Sequence, residues 1–392
     1  MESRRFETFT RILADSHPRR WIVGSLLSAI STTLVAPGIA LACKKVGKKC
    51  DKNNDCCDGA RCKGGKNGKC RCKSGFSKCG NTCFDLDKDE KRCGSCNTTC
   101  ASAATCQNGV CAEGGYTFVG QFGESGFDDG EFFLPTSIAI SAGVQVYVAD
   151  TGNRRIEAFT RDGDFLGGWE IPDVAFSYIG VALAADGSVY VTDASPQVQK
   201  FDGAGIFQLA FGSQGSGPGE FNEPKGIAVH GNGDVSVVDS DNSRIQTFEA
   251  DGTLPRASGS PGSGEGQFAR PEGIAITTND EVFIADFANH RIQKFAANGD
   301  FLISWGTEGS GDGEFEGPRA IAVGPDDSVF VLDAGTHRVQ KFDSEGAFLG
   351  KWGRLGDGEG EFDTPQGVAV DDAGIVYVVD SFNNRIQKFA PI

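Results

Sequence analysis

The chain has 392 residues and a net charge of −16, but neither its charges nor its cysteines are spread evenly. Residues 1–115 hold 20 Lys/Arg against 11 Asp/Glu, a net of +9, while residues 116–392 hold 17 against 42, a net of −25. An acidic body of that size argues against nucleic acid as a partner, because a phosphate backbone needs neutralising cations. Fourteen cysteines confined to residues 43–111 exclude an ordinary apolar core there and call for an oxidising compartment.

Residues 1–42 read as a signal peptide. Arg4, Arg5, Arg11, Arg19 and Arg20 form a positive leading region, and Trp21 to Leu41 is an apolar run softened by Ser and Thr. Pro37 breaks the run, and Ala40-Leu41-Ala42 follows as an A-x-A cleavage site. Arg19-Arg20 directly before Trp21-Ile22-Val23 resembles a twin-arginine export signal. An uncleaved anchor is the alternative, since the run is nearly long enough to span a bilayer. Pro37 and the small residues favour cleavage, which leaves no transmembrane segment. In a third reading Cys43 is a lipid-modified first residue, although Ala40 stands where a lipobox prefers Leu.

Residues 43–72 carry Cys43, Cys50, Cys56, Cys57, Cys62, Cys70 and Cys72 in the spacing C-x6-C-x5-C-C-x4-C-x7-C-x-C. The adjacent pair in third and fourth place resembles the inhibitor cystine knot, or knottin, scaffold. That resemblance implies Cys43–Cys57, Cys50–Cys62 and Cys56–Cys70 pairing, one of fifteen connectivities that six cysteines allow. It would also use Cys43 in a disulfide rather than a lipid anchor. Residues 73–112 add Cys79, Cys83, Cys93, Cys96, Cys100, Cys106 and Cys111, which look like a cysteine-rich spacer of secreted bacterial proteins. Cys93, Cys96 and Cys100 have a spacing that also suits zinc, but the even count and the export signal favour disulfides. The whole segment is expected to be a stapled stalk.

Residues 116–392 repeat. Phe221, Phe268, Phe315 and Phe362 open copies 47 residues apart, each reading F-x-x-P, an apolar run, a second run ending in Asp, then R-I/V-Q-x-F and a glycine-rich acidic tail. Such a period marks one supersecondary unit used many times. Each copy holds four short runs rich in β-branched and aromatic residues, parted by Asn/Asp/Gly turns, so the runs are strands. Four strands per radial repeat predict a β-propeller blade. Asp150, Asp193, Asp239, Asp286, Asp333 and Asp380 count six blades. The last copy stops after its third strand, and Tyr116 to Gly123 reads as the missing fourth strand, so the ring is expected to close on its N-terminal strand.

The copies resemble the NHL repeat family. The resemblance rests on Gly226-Ile227-Ala228-Val229, on Val376 to Asp380, and on D-x-x-N-x-R-I at Asp150/Asn153/Arg155, Asp239/Asn242/Arg244, Asp286/Asn289/Arg291 and Asp380/Asn383/Arg385. Thr336 replaces Asn after Asp333, and the copy at Asp193 is one residue short with Gln197 in place of Arg. The fold implied is an all-β, six-bladed NHL propeller over residues 116–392, preceded by the small disulfide-rich segment. By resemblance such propellers serve as interaction platforms.

Residues that recur in every blade build the scaffold, and sites come from exceptions. The Asp-x-x-Asn-x-Arg turns are accordingly expected to bond backbone amides and to pair Arg with an acidic group across the blade boundary, rather than to form a cation ring for an anion. Asp128, Asp129, Glu265, Asp312, Glu314, Asp357, Glu359 and Glu361 crowd a second set of loops on the same face. Oxygen ligands at that density suit calcium, but no copy holds a complete calcium motif. His290 and His337 occupy equivalent loop positions, and some NHL-like propellers are lyases with a central metal; His230 is placed on the opposite face. No catalytic, cofactor or metal residue is therefore assigned. The function expected is an exported or cell-surface protein that binds a protein or glycan on its loop face, with no nucleic acid. The alternative is a metal-dependent lyase or hydrolase at the central channel.

Overall fold

A computed structural model describes residues 115–392, apart from 142–144, 172–177, 194 and 254, together with the backbone of short strands between Lys49 and Ala112. The signal peptide expected over 1–42, the side chains of all fourteen cysteines with their expected pairing, and the expected stalk boundaries lie outside the described residues. In the cysteine segment Gly68–Cys72 pairs with both Lys49–Cys50 and Ala60–Lys63, and two hairpins follow, Ser77–Cys79 with Thr82–Phe84 and Thr105–Gln107 with Val110–Ala112. Among the described residues no helix is long and apolar enough to cross a membrane.

From Tyr116 onward the chain forms six four-stranded antiparallel sheets. Blade 4 is typical, with strands Pro271–Ile276, Val282–Asp286, Arg291–Phe295 and Phe301–Trp305 joined in that order. Blades 1, 2, 3 and 5 span 137–170, 180–211, 224–258 and 318–352. The second strands are continuous apolar runs because a neighbouring blade covers each of their faces; Val329–Asp333 is buried at every residue. The outer strands alternate instead, as in Phe301–Trp305, because one face meets solvent.

The first strands of successive blades touch one another around the axis, and the first strand of blade 6 touches that of blade 1. This approach needs small residues. A Cβ on Gly226 would come 2.5 Å from the Glu272 carbonyl oxygen, and one on Gly273 would come 2.6 Å from that of Arg319. Closure is supplied as the sequence predicts. Tyr116–Phe122 pairs antiparallel with Arg385–Pro391, from Ile386 opposite Phe122 to Pro391 opposite Tyr116. Tyr116 also stacks on Trp352 of blade 5 at 4.8 Å, so the closing strand is fixed by packing as well as by its ladder.

Candidate functional site

The loop between the second and third strands and the glycine-rich loop entering each blade lie on one face, where they interlock. In blade 3 the Asp239 carboxylate is fully buried and accepts the Asn222 amide at 2.7 Å, the Asn242 Nδ2 and the Arg244 Nε. Arg244 then donates to the Ser216, Gly217 and Glu220 carbonyls, and Asn242 donates to that of Gly215. The same bonds recur around Asp150, Asp286 and Asp380. Two details differ from the sequence reading. Arg pairs with the Asp of its own turn, not with an acid across the boundary, because the two residues face each other on paired strands, as Asp239 does Arg244. Asn donates rather than accepts, because the nearest free groups are carbonyls. The guanidinium is thus fully engaged, and no cation ring is offered to an anion.

Gln246, Gln293, Gln340 and Gln387 complete the knot: in blade 3 the amide nitrogen donates to Glu220 O and Asp239 Oδ2, and the amide oxygen accepts Gly219 N. Blade 1 carries Glu157 instead. Its Oε1 accepts Gly130 N, but its buried Oε2 has no hydrogen-bond partner, and burial pushes its pKa up to about 7. Burial likewise raises Asp150, Asp193 and Asp380, against the hydrogen bonds each accepts. In the shortened blade Asp193 is held by Ser195 and by Gln199, which stands in register with Gln246 and makes the same bond to the turn aspartate.

The acidic loops resolve into two kinds of residue. Glu314 and Glu361 fold back so that one carboxylate oxygen accepts the amide of Gly311 or Gly358. Gln267 does the same to Gly264 with an uncharged oxygen, so the task needs an acceptor, not a charge. Asp312 pairs with Lys351 at 2.6 Å, and Asp128, Asp129, Glu265, Asp357 and Glu359 face solvent. Among the described residues no three His, Cys, Asp or Glu side chains are arranged to hold a metal.

His290 and His337 are not brought to the channel axis. Both occupy the left-handed position that ends the turn, with φ of 54° and 55°, as do Arg154, Ser243 and Asn384. There each ties its blade to the next: His290 Nδ1 lies 3.1 Å from Phe315 O, and His337 Nδ1 accepts Thr364 N. Asn384 Oδ1 accepts Leu134 N in the same role across the ring closure. His230, toward the opposite face, meets Ser236 at 2.8 Å.

The channel mouth on the loop face is lined by the residue after each F-x-x-P proline. Over blades 3 to 6 these residues form a chain. Lys225 Nζ lies 2.5 Å from Glu272 Oε1, Arg319 Nε pairs with Glu272 Oε2 at 2.8 Å, and Arg319 donates to Gln366. Across the ring stand Thr136 and Ile179, where the Thr136 hydroxyl donates to the Ile179 carbonyl.

Beside the mouth, where blade 6 meets blade 1, the repeat departs from itself. Phe127, Phe133, Leu355 and Phe382 are all exposed, Phe127 by 73%. In register with Phe127 the other glycine loops carry Ser216, Ser263, Ser310 and Asp357. Gly152, Asp241, Ala288 and Gly335 stand in place of Phe382, and Asn222, Ala269, Glu316 and Asp363 in place of Phe133. The four side chains occupy one sector. Phe127 and Phe133 rings lie 5.7 Å apart, Asn383 beside Phe382 bonds Gly356 beside Leu355, and Asn384 bonds Leu134 beside Phe133. The sequence showed these four as departures from the repeat, but acidic density drew attention to other positions in the same loops.

Comparison with known proteins agrees with this geometry. The NHL repeat model matches residues 268–295, 315–342 and 362–389, each running from the F-x-x-P phenylalanine to the last phenylalanine of the third strand. The propeller carries NHL repeats. A six-bladed β-propeller model matches residues 171–256, which hold the shortened blade and most of blade 3. Protein brain tumor of Drosophila melanogaster is 32% identical over 126 residues, and B-box type zinc finger protein ncl-1 of Caenorhabditis elegans is 30% identical over 126. Each match takes in 30% of this chain but only 12% and 14% of those proteins. Among solved structures, a streptogramin B lyase covers 70% of this chain and 97% of its own at 15% identity and a TM-score of 0.51. A Xanthomonas campestris gluconolactonase covers 66% and 86% at 16% identity, with a TM-score of 0.51. A Bacteroides thetaiotaomicron protein of unknown function covers 84% and 87% at 16%, with a TM-score of 0.55. At such identities the likeness is one of fold.

Proposed function

We propose that the chain is an exported or cell-surface binding protein whose NHL propeller holds a protein partner on the loop face. The observation that carries this reading is the group Phe127, Phe133, Leu355 and Phe382, apolar and exposed where the other copies are mostly small or polar. Clustered aromatic side chains at a surface are the usual anchors of protein recognition, and contiguous exposed apolar surface on a soluble chain calls for an occupant. The exposed carboxylates of Asp128, Asp129 and Asp357 in the same loops edge the group and suit a polar rim. A protein fits this sector better than a glycan, because three aromatic groups and a leucine present more apolar area than hydrogen-bonding capacity. Export rests on the N-terminal pattern and the cysteine density.

The test is capture from the extracellular fraction by the full chain, beside a variant carrying Phe127→Ser, Phe133→Asn, Leu355→Gln and Phe382→Gly, residues taken from the other copies. A partner held by the native chain and lost by the variant is expected. An identical set on both, or nothing above background on the native chain, contradicts the reading.

A further inference from the structure

Five of the six blade boundaries are closed by the same device, and one is not. Near the end of each outer strand an aromatic ring points inward: Phe122, Trp169, Phe211, Trp305 and Trp352. Each lies opposite an aliphatic third-strand residue, as Trp305 lies opposite Ile292. Each also packs on the third-strand phenylalanine of the next blade: Phe122 on Phe159 at 5.0 Å, Trp169 on Phe201 at 5.8 Å, Phe211 on Phe248 at 4.9 Å, Trp305 on Phe342 at 5.8 Å and Trp352 on Phe389 at 5.7 Å. Those five phenylalanines are buried to within 2%. Blade 3 places Ser258 at this position, opposite Ile245, and the next phenylalanine, Phe295, is left partly exposed.

Two further exchanges in blade 3 accompany it. The second strands carry Tyr147, Tyr190, Phe283, Phe330 and Tyr377 in register, but blade 3 carries Ser236. Opposite those rings stand lysines in four blades, and Lys200, Lys294 and Lys341 lie 5.0 to 5.5 Å over them. Blade 3 has Thr247, whose hydroxyl is 2.7 Å from that of Ser236. An aromatic–lysine–aromatic set has become Ser236–Thr247–Ser258, three small hydroxyl residues. The result is a cavity of about 490 Å3 between blades 3 and 4, floored by Phe268 and Phe295 and rimmed by His230, Asp280 and Arg256.

The neighbouring turn gives an independent measure of what fits there. At the regular boundaries a glycine lies flat against the inserted ring: a Cβ on Gly205, Gly252 or Gly346 would come 2.5 to 2.6 Å from Trp169, Phe211 or Trp305. The equivalent Gly299 has nothing within 4 Å of that position. The backbone therefore keeps the spacing of a ring that the blade does not supply. The cavity joins an aromatic floor to a wall of hydroxyls and a charged rim, and its volume lies in the range of ligand sites.

We infer that the boundary between blades 3 and 4 is a binding site for a small planar aromatic molecule with a polar substituent. Its ring lies on Phe295 and against Gly299, where Trp305 lies on Phe342 and against Gly346 one blade on. Its substituent meets the hydroxyls of Ser236 and Thr247, which are already linked to the His230 imidazole at 2.8 Å and through it to Asp280. The site is separate from the loop-face sector proposed for a protein partner.

Titration of the full chain with 5-fluoroindole, followed by fluorine NMR, tests the assignment. Saturable binding to the native chain is expected at sub-millimolar concentration. Ser258→Trp refills the cavity from within and should weaken binding by more than about tenfold while leaving the unfolding midpoint equal or higher. Ser236→Phe fills it from the second strand and gives the same result should the first variant fail to fold. No saturable binding to the native chain, or binding equally strong in the folded variants, overturns the assignment.

Discussion

The Asp286 turn of blade 4 and the sector of Phe127, Phe133, Leu355 and Phe382 lie on the same face of the disc and are built on opposite principles. Around Asp286 every polar group has a partner: the carboxylate accepts Ala269 N, Asn289, Arg291 and Gln293, and Arg291 spends its other donors on three carbonyls. Nothing is left with which to bind. In the sector, four apolar side chains keep between 36% and 73% of their surface exposed. Residues that recur in register are consumed by the frame, and surface remains for a partner where the copies differ.

The largest effect expected is on the frame as a whole. Removing residues 116–123 strips blade 6 of its outer strand, exposes an unpaired edge and unstacks Trp352, so size-exclusion chromatography should show aggregation and the melting temperature should fall sharply. An unchanged melting temperature would contradict closure by this strand. Next comes Asp286→Ala, which leaves a guanidinium and three amides without this acceptor and should cost about 3–5 kcal/mol in urea unfolding.

Glu157 sharpens the comparison from within the frame, because it is one position where the knot is imperfect. Its folded pKa of about 7 lies above the unfolded value of 4.5, so the folded state binds more protons between those values. Stability is then fully present below about pH 4.5, falls as the pH rises and levels off above about 7, a loss of about 3 kcal/mol at most. Glu157→Gln restores the amide found at Gln246, Gln293, Gln340 and Gln387, and should flatten that part of the pH profile. Equal pH profiles for the two chains would show that Glu157 is not held protonated. The smallest effect on stability is expected for the four sector substitutions.

Much of the frame was legible because repetition makes its own alignment. The period of 47, the six aspartates and the truncated last copy were enough to predict blades, their number and the strand that closes the ring. Partners within the turn were less legible. Whether Arg244 reaches Asp239 or an acid in the next blade depends on strand register, and its three carbonyl acceptors cannot be read from side-chain letters. His290 and His337 looked like paired ligands because matched histidines are rare in this chain; the left-handed turn shows why position, not chemistry, sets them there. The sector and the Ser236–Thr247–Ser258 exchange were visible as departures in the aligned copies. Their meaning was not, since only the fold brings Ser258 beside Phe295 or Phe127 beside Phe382.

Urea unfolding of two variants side by side tests the division between frame and sites most directly. The chain carrying Phe127→Ser, Phe133→Asn, Leu355→Gln and Phe382→Gly should keep its unfolding free energy within about 1 kcal/mol of native. The single Asp286→Ala chain should lose several times as much. Four substitutions in the sector that destabilise more than the one buried aspartate would contradict the account.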